Sequence, residues 1–290
     1  AYQSNIGLDA FKDSSAFSKY DGSGYAVVII DTGIDYDHPH FGPDLNGDGI
    51  GDKIVFSYDF SDNEINASDD NGHGTHVASI AASSDTVYPG IAPGADIIAF
   101  DVFYETSKGP RTDSSVYEKA LQKVIEIADQ YNIVSVNMSL GGGNYDNYTR
   151  SSINDELETL AAMGVIVVAA SGNSYDYYQE QGVGSPSSTY YSWSIGATGY
   201  NNSSSYPFPQ TNKLMFFSQR DDELTTLVAP GGIIPAARSG GGEVALNGTS
   251  MASPVVAGAI AVIQQLAEEI TGTRLSYDQM KQLFINYADE

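Results

Sequence analysis

Short apolar runs that alternate with helix-period segments constrain the fold of this chain more than any other feature. Runs with the length and composition of buried strands lie at residues 25–30, 96–102, 133–138 and 165–170. Helical patterns lie at residues 116–128, 154–163 and 250–269, and at 280–287 after a capping box formed by Ser276 and Gln279. This alternation predicts an α/β fold with a central, mainly parallel β-sheet flanked by helices on both faces.

Length and composition narrow the class of protein. The 290 residues, 41% of them hydrophobic, can form one domain over residues 1–290 with a sizeable core. No run of about 18 apolar residues occurs, so no membrane span is expected. The 37 acidic and 13 basic residues give a net charge of −24, which argues against nucleic-acid partners and weakens binding to anionic membranes. The absence of cysteine excludes disulfides and thiolate metal sites.

Three separate segments carry residues suited to nucleophilic catalysis. Asp31 directly follows an apolar strand candidate, and the carboxyl ends of parallel strands are where sites form. His73 stands between two glycines at the start of a small-residue helix. Ser250 lies at the start of the long helical pattern, where free N–H groups and the helix dipole favour negative charge. Taken singly, Asp31 could be a helix cap and His73 a turn residue.

The order and local sequence of these segments resemble those of subtilisin-like serine proteases, the subtilases. The matching motifs are Asp-Thr-Gly at Asp31, His-Gly-Thr-His-Val-Ala at His73 and Gly-Thr-Ser-Met-Ala-Ser-Pro at Ser250, and the resemblance covers roughly residues 25–265. It implies the three-layer subtilisin-like fold and a serine endopeptidase. In that family the serine is the nucleophile, the histidine its general base and the aspartate the residue that orients the histidine. Asn173, in an Ala-Ala-Ser-Gly-Asn segment, is implied to be the oxyanion donor.

The resemblance also implies a substrate groove. Ser139, Leu140 and Gly141 follow the strand candidate 133–138, and this segment is implied to pair with the substrate backbone and to form one wall of the specificity pocket. The opposite wall is implied to contain Ser171 and Gly172. The tyrosine-rich segment 174–191 reads as an exposed loop. Protein or peptide substrates follow from the family, with an uncharged, apolar or aromatic residue before the scissile bond, as does a pro-segment inhibitor before maturation.

Acidic residues crowd two segments and suggest structural calcium at more than one site. The first segment has oxygen ligands at positions 1, 3, 5 and 9 of an EF-hand-type loop and a backbone carbonyl at position 7, while Val55 replaces the glutamate of position 12. Its candidate ligands are Asp44, Asn46, Asp48, Ile50 and Asp52. A solvated acidic turn is the alternative interpretation.

The second acidic segment resembles the calcium loop of thermitase-type subtilases. Its candidate ligands are Asp59, Asp62 and Glu64. The family's usual tight calcium site is doubtful here, because His40 stands where many subtilisins have an aspartate ligand. His38 and His40 are expected at the surface, and His76 is expected to be structural.

Two other functions use the same motifs. A transpeptidase or macrocyclase would have the same three catalytic residues but let an amine replace water. An inactive, calcium-binding protease homologue would need a broken catalytic set, which the sequence does not have. Residues 1–4 lack the charged and apolar segments of a signal peptide, so either a signal was removed or there never was one. Together with the resemblance, the expectation is a secreted protein whose signal and pro-segment have been removed.

Overall fold

The computed structural model describes residues 2–200 and 211–288. Its strands are β1 (Ala26–Asp31), β2 (Ile54–Asp59), β3 (Asp96–Asp101), β4 (Ile133–Met138), β5 (Gly142–Tyr145), β6 (Ile166–Ala170), β7 (Val183–Ser185), β8 (Ser192–Thr198), β9 (Thr225–Pro230), β10 (Ile234–Ala237) and β11 (Glu243–Leu246). Its α-helices are α1 (Leu8–Asp13), α2 (His73–Ala82), α3 (Ser114–Ile127), α4 (Asn154–Ala162), α5 (Tyr175–Tyr178), α6 (Thr249–Thr271) and α7 (Tyr277–Tyr287). Two short 3₁₀ helices span Tyr2–Ile6 and Pro39–Phe41.

The central sheet has seven strands in the order β2-β3-β1-β4-β6-β8-β9, and every neighbouring pair is parallel. Two short antiparallel pairs, β10 with β11 and β5 with β7, lie outside it. The predicted parallel α/β architecture is therefore confirmed. Strands β2, β8 and β9 were not predicted, since β2 and β9 mix polar with apolar residues and β8 contains serine, glycine and threonine.

Alternate side chains of the strands enter two different hydrophobic cores. Along β1, Val27 and Ile29 pack in the core that contains the buried faces of α2 and α6. Val28 and Ile30 pack in the core that contains α3 and α4. Because a strand points successive side chains to opposite faces, a run that is apolar at every position is buried on both sides. This produces the three layers, with helices above and below the sheet.

Helix α6 is the central helix of one layer. By length and composition alone it could cross a membrane, but 72% of its most apolar 18-residue window is buried inside the protein. It contacts β4, β6 and β8 along their length. Its small residues permit this close packing, since a Cβ on Gly258 would collide with the Ala81 carbonyl of α2. The start of α6 is thereby held against the sheet edge.

Two expectations about exposure are wrong. The segment 174–191 is not a simple exposed loop, because it contains α5 and β7 and buries residues 182–184 and 186–189. His38 and His40 are each only 2% exposed. The β10–β11 hairpin covers them, and His38 Nε2 lies 3.1 Å from the Gly242 carbonyl in its turn. His40 Nδ1 lies 2.9 Å from Ser79 Oγ of α2. These partners are distant in sequence, so no local pattern indicates them.

Candidate active site

The carboxyl ends of three neighbouring strands and the starts of two helices form one edge of the sheet. Asp31 is the last residue of β1, Ser139 follows β4, and Asn173 lies three residues after β6. His73 is the first residue of α2, and Ser250 is the second residue of α6. The residues predicted from the sequence to be catalytic therefore lie at this edge of the sheet.

Asp31 and His73 form a direct hydrogen-bonded pair. Asp31 is fully buried, and its Oδ1 lies 2.7 Å from His73 Nδ1 and accepts a second bond from the Thr32 N–H at 2.9 Å. An ionised carboxylate only accepts, so His73 Nδ1 carries the proton of the neutral ring. Nε2 is then the unprotonated nitrogen, which fits a general base.

The ionisation of His73 is set by opposing effects. Burial lowers its pKa, while the charge and hydrogen bond of Asp31 raise it, with a smaller upward contribution from the charge of Asp69. The result is a pKa above the ordinary 6.5. The site therefore stabilises the imidazolium that forms when His73 takes a proton.

Asp69 holds the start of α2 and is a residue that sequence reasoning missed. It is 4% exposed. Its Oδ1 accepts bonds from Thr32 Oγ1, the Asn71 N–H and the Gly72 N–H, and its Oδ2 accepts from the N–H and the hydroxyl of Thr75. Five donors on one carboxylate fix the turn that precedes His73 relative to β1. Asp69 is one of two adjacent aspartates in an acidic stretch, so the local sequence did not distinguish it.

The Ser250 hydroxyl does not bond to His73 in this structure. Ser250 Oγ donates to the Ser139 carbonyl at 3.3 Å, and the Ser250 side chain is largely buried. Of the three predicted catalytic residues, Asp31 and His73 are therefore hydrogen-bonded to each other, and Ser250 is not bonded to them. Rotation about χ1 of Ser250 would turn the hydroxyl away from the Ser139 carbonyl. In structures without substrate, the hydrogen bonds between catalytic residues are often long or misaligned.

A buried polar chain fixes the backbone at Ser250. Pro254 lies four residues later and has no N–H to bond the Ser250 carbonyl, so that carbonyl instead accepts from Ser139 Oγ at 2.8 Å. Ser139 Oγ in turn accepts from Asn137 Nδ2, and Asn137 Oδ1 accepts from Ser253 Oγ. Asn137 was another missed residue, although an asparagine inside a fully buried strand is a usable signal.

Asn173 presents its amide next to Ser250. Its Oδ1 accepts from the N–H and the hydroxyl of Thr249, at 2.8 and 3.0 Å, which turns Nδ2 to the other side. A Cβ built on Gly248 would lie 3.4 Å from Asn173 Nδ2 and 3.5 Å from the Ser250 N–H nitrogen. Both donors therefore border the same small space, and glycine at position 248 leaves it open.

A cleft of about 530 Å³ runs past His73. Three of the predicted groove residues, Ser139, Leu140 and Gly141, line it, together with apolar side chains of which Phe103 and Tyr117 are the largest. Strand β5 continues this wall and pairs with β7.

The other predicted wall, Ser171 and Gly172, lies between the end of β6 and Asn173. Ser171 and Gly172 are not among the described residues that line the cleft. The Ser171 N–H bonds to the Ile195 carbonyl, and its own carbonyl accepts from the Gly184 N–H. The Gly172 N–H bonds to Thr249 Oγ1. Their backbone groups are bonded within the protein. Asn173 and Ser250 do not line this cleft either, so the assignment of Ser171 and Gly172 to the substrate groove stays a prediction.

The first acidic segment forms a compact exposed loop. Asp44 accepts the N–H groups of Gly47, Asp48 and Gly49, and Asp48 accepts that of Ile50. Carboxylate, amide and carbonyl oxygens are the donor set that calcium prefers, so the chemistry of Asp44, Asn46, Asp48, Ile50 and Asp52 fits this ion. Within residues 2–200 and 211–288, however, no three Asp, Glu, His or Cys side chains are grouped to hold a metal.

The second acidic segment is partly buried. Asp59 is 6% exposed, and its Oδ1 already accepts from the N–H and hydroxyl of Ser61 and from the Asp62 N–H. Asp62 and Glu64 are exposed, and Glu64 pairs with Asp59 through the backbone. The first segment is no freer in this respect, because Asp44 and Asp48 each accept hydrogen bonds at both carboxylate oxygens.

Comparison with known proteins agrees with the fold and the motifs. A family model described as the subtilase family matches residues 22–290. The chain belongs to the subtilase family. This subtilase is 31% identical over 264 residues to an intracellular serine protease of Paenibacillus polymyxa, covering 90% of this chain and 73% of that protein.

Further relatives point to the same enzyme class. The subtilase is 31% identical over 301 residues to serine protease AprX of Bacillus subtilis, covering 93% of this chain but only 62% of that protein. A solved structure of a cold-adapted subtilisin-like serine proteinase superposes with a TM-score of 0.72 at 28% identity, covering 94% of this chain and 85% of that one. This chain is a serine endopeptidase of subtilisin-like fold.

Proposed function

We propose that this subtilase cleaves peptide bonds with Asp31, His73 and Ser250 as its catalytic triad. Ser250 Oγ attacks the scissile carbonyl while His73 Nε2 takes its proton and later gives it to the leaving amine. Asp31 keeps the imidazole in the Nδ1–H tautomer and stabilises its charged form. The observation that carries this mechanism is the 2.7 Å bond between the buried Asp31 and His73 Nδ1 at the edge where α6 begins.

The oxyanion of the tetrahedral intermediate is proposed to lie in the space beside Gly248. Asn173 Nδ2 and the Ser250 N–H border that space, and the first turn of α6 adds the positive end of its dipole. Asn173 is exposed, so its amide can reach a substrate. Donors that are already oriented stabilise the charge without reorganising during the reaction.

Reaction with a fluorophosphonate probe tests the nucleophile. The wild-type chain should be labelled at one residue and should hydrolyse a peptide library, and Ser250→Ala should lose both properties. Ser18→Ala, an exposed serine far from this edge, is the matched control and should keep them. Wild-type protein that is neither labelled nor active would disprove the assignment, as would full labelling of Ser250→Ala.

We also propose which substrates and partners this site takes. Ser139, Leu140 and Gly141 would pair with an extended peptide as an added strand, since this wall lines the cleft beside His73. Phe103, Tyr117 and Leu140 support an uncharged, apolar or aromatic substrate residue near the scissile bond, although Arg111 and Asp113 also line the cleft. A pro-segment that occupies the same groove would keep the enzyme inactive until it is cleaved off. Profiling of cleavage sites in a peptide library measures this preference directly.

Calcium is proposed to stabilise the exposed loops rather than to take part in the reaction. The oxygen-rich loop that contains Asp44, Asp48 and Asp52 would hold one ion, and Asp59, Asp62 and Glu64 would contribute to a second. Exposed loops of this kind suit weak sites that fill at the high calcium concentrations found outside cells. We therefore propose a secreted enzyme, and detection of the mature chain in the culture medium rather than in cells tests this.

A further inference from the structure

Gln219 is a buried residue that bonds to two sides of the proposed site, the segment around Asn173 and strand β5. It follows the buried Ser218 and is only 2% exposed. Its side-chain amide lies between the end of β6 and strand β5, where Gly143 belongs to the wall that continues from Ser139. Nothing in the proposed mechanism uses it.

On one side, Gln219 bonds to both neighbours of Asn173. Its backbone N–H donates to the Gly172 carbonyl at 2.9 Å, and its Oε1 accepts from the Ser174 N–H at 3.4 Å. Its carbonyl accepts from Ser171 Oγ at 2.7 Å. A Cβ on Gly172 would collide with Gln219 Oε1. The backbone on each side of the oxyanion donor is thus bound to one glutamine.

On the other side, the same amide bonds to β5. Gln219 Nε2 donates to the Gly143 carbonyl at 3.0 Å and to Asn144 Oδ1 at 2.7 Å. With two acceptors at Nε2 and a donor at Oε1, the orientation of the amide is fixed by its partners. Only an amide of this length satisfies both ends at once, because a carboxylate cannot donate.

We propose that Gln219 is a positioning residue: it fixes β5 at Gly143, and with it the substrate-pairing wall that β5 continues, relative to the oxyanion donor Asn173. This inference rests on the proposed function. A peptide paired with the wall is held at its backbone, and its scissile carbonyl must meet a donor on the other side of the groove. A small misplacement between the two is costly because the reacting atoms must be aligned. Gln219 links the two sides through a single rigid group.

The substitution Gln219→Glu tests the two ends of the side-chain amide separately. It keeps an acceptor for the Ser174 N–H but places a second oxygen against the Gly143 carbonyl and Asn144 Oδ1. The strand side should loosen while the oxyanion side is retained, so KM should rise about tenfold with a much smaller change in kcat. Gln219→Met, which loses both ends, should raise KM and lower kcat.

The pH dependence of KM gives a readout that simple loss of stability does not. Protonation of the new carboxyl restores one O–H donor to β5. The ratio of KM for Gln219→Glu to KM for wild type should therefore fall toward one as the pH is lowered, while titration of His73 cancels in that ratio. Burial raises the pKa of such a carboxyl, so the change should come well above about pH 4.

Gln264→Glu is the matched control. Gln264 is fully buried in α6, far along the helix from Ser250, and its amide makes the same kind of paired bonds, to the carbonyl and the N–H of Leu275, each at 2.9 Å. This variant should lower the melting temperature as Gln219→Glu does but leave KM unchanged. If Gln219→Glu does not fold, Asn144→Ala removes one acceptor and should raise KM about twofold.

The inference is overturned if folded Gln219→Glu has the wild-type KM, if its KM ratio does not change with pH, or if Gln264→Glu changes KM equally. Those results leave the proposed function intact, because the wild-type enzyme is active in each of them. A wild-type chain that hydrolyses no peptide overturns the proposed function and this inference together.

Discussion

The strand edge that carries the proposed catalytic residues and the two acidic loops are both rich in polar groups, but they are built differently. At the edge, the side chains of Asp31 and Asp69 are buried and bond to residues from other elements. In the first acidic loop, Asp44 and Asp48 are exposed and bond to N–H groups within five residues of themselves.

This difference predicts how strongly a substitution in each region changes activity or stability. A buried carboxylate costs free energy unless its partners are in place, so the edge must be assembled accurately for the fold to be stable. An exposed carboxylate that caps its own turn is already satisfied and costs little. The edge should therefore respond to single substitutions with large losses of activity, whereas the loops should respond to ions with modest changes in stability.

The largest expected effect is at Asn173. Replacement by alanine removes one of the two donors beside Gly248, and kcat should fall by about 10²- to 10³-fold, the range known for loss of such a donor in this family. KM should change little, because the amide acts mainly on the charge that develops in the transition state. Steady-state kinetics on one peptide measures both constants.

The matched control for that substitution is Asn147→Ala. Asn147 is exposed, and among the described residues its amide bonds to its neighbour Asp146 alone. Its kcat should equal that of wild type. Equal loss of kcat in the two variants, or full activity in Asn173→Ala, would show that the space beside Gly248 does not hold the oxyanion.

Acid stability should depend on His76, one turn after His73 on α2. Its Nε2 donates to the carbonyls of Ile234 and Val244 in the β10–β11 hairpin. Burial lowers the pKa of His76 to about 4, despite the opposing effect of these two hydrogen bonds. At this site the native state therefore binds fewer protons than the unfolded chain between pH 6.5 and about 4, and the contribution of His76 to stability falls as the pH falls through this window.

The size of this loss should be about 3 kcal/mol over the whole window, from a pKa difference of about 2.5. Urea unfolding of Ser250→Ala protein, which cannot digest itself, measures it at several pH values. His76→Gln can still donate to both carbonyls but does not titrate, so its stability should fall less steeply with acid. The raised pKa of His73 affects stability only above 6.5. Burial raises the pKa of Asp101 to about 7, which changes stability in the opposite sense within the window, so the contribution of His76 is the difference between the two proteins. Parallel pH curves for the two proteins would contradict the prediction.

The sequence predicted the edge better than the loops for a physical reason. Asp31, His73 and Ser250 stand at the ends of regular elements, and a parallel α/β sheet brings strand ends and helix starts to one side. Long apolar runs such as β4 were predicted to the residue, and the capping box at Ser276 is present with both of its bonds. Element type and chain order were enough to place these residues.

Contacts between distant loops could not be predicted in this way. Asp69 and Gln219 each bond to several backbone groups whose positions depend on the whole fold. The burial of His38 and His40 depends on a hairpin some 200 residues later in the chain. The backbone bonds of Ser171 and Gly172 to Ile195, Gly184 and Thr249 were not predicted either. Local pattern carries no information about which partner a polar group finds.

The smallest expected effect concerns the acidic loops. In Ser250→Ala protein, millimolar calcium should raise the melting temperature by about 5 °C over excess EDTA, since calcium at about 100 times its dissociation constant adds roughly 2.7 kcal/mol. Asp48→Asn and Asp62→Asn remove one carboxylate from each loop, and each should reduce this difference. Asp129→Asn, an exposed aspartate outside both loops, should leave it unchanged.

The pattern among these variants decides what the loops do. A calcium effect lost in Asp48→Asn but kept in Asp62→Asn would assign the ion to the first loop and would leave the second as a turn capped by Asp59. Identical melting curves with calcium and with EDTA would mean that both loops are solvated turns. The contrast would then be complete, because the loop carboxylates would be satisfied by their own backbone, while those of the edge depend on the assembled fold.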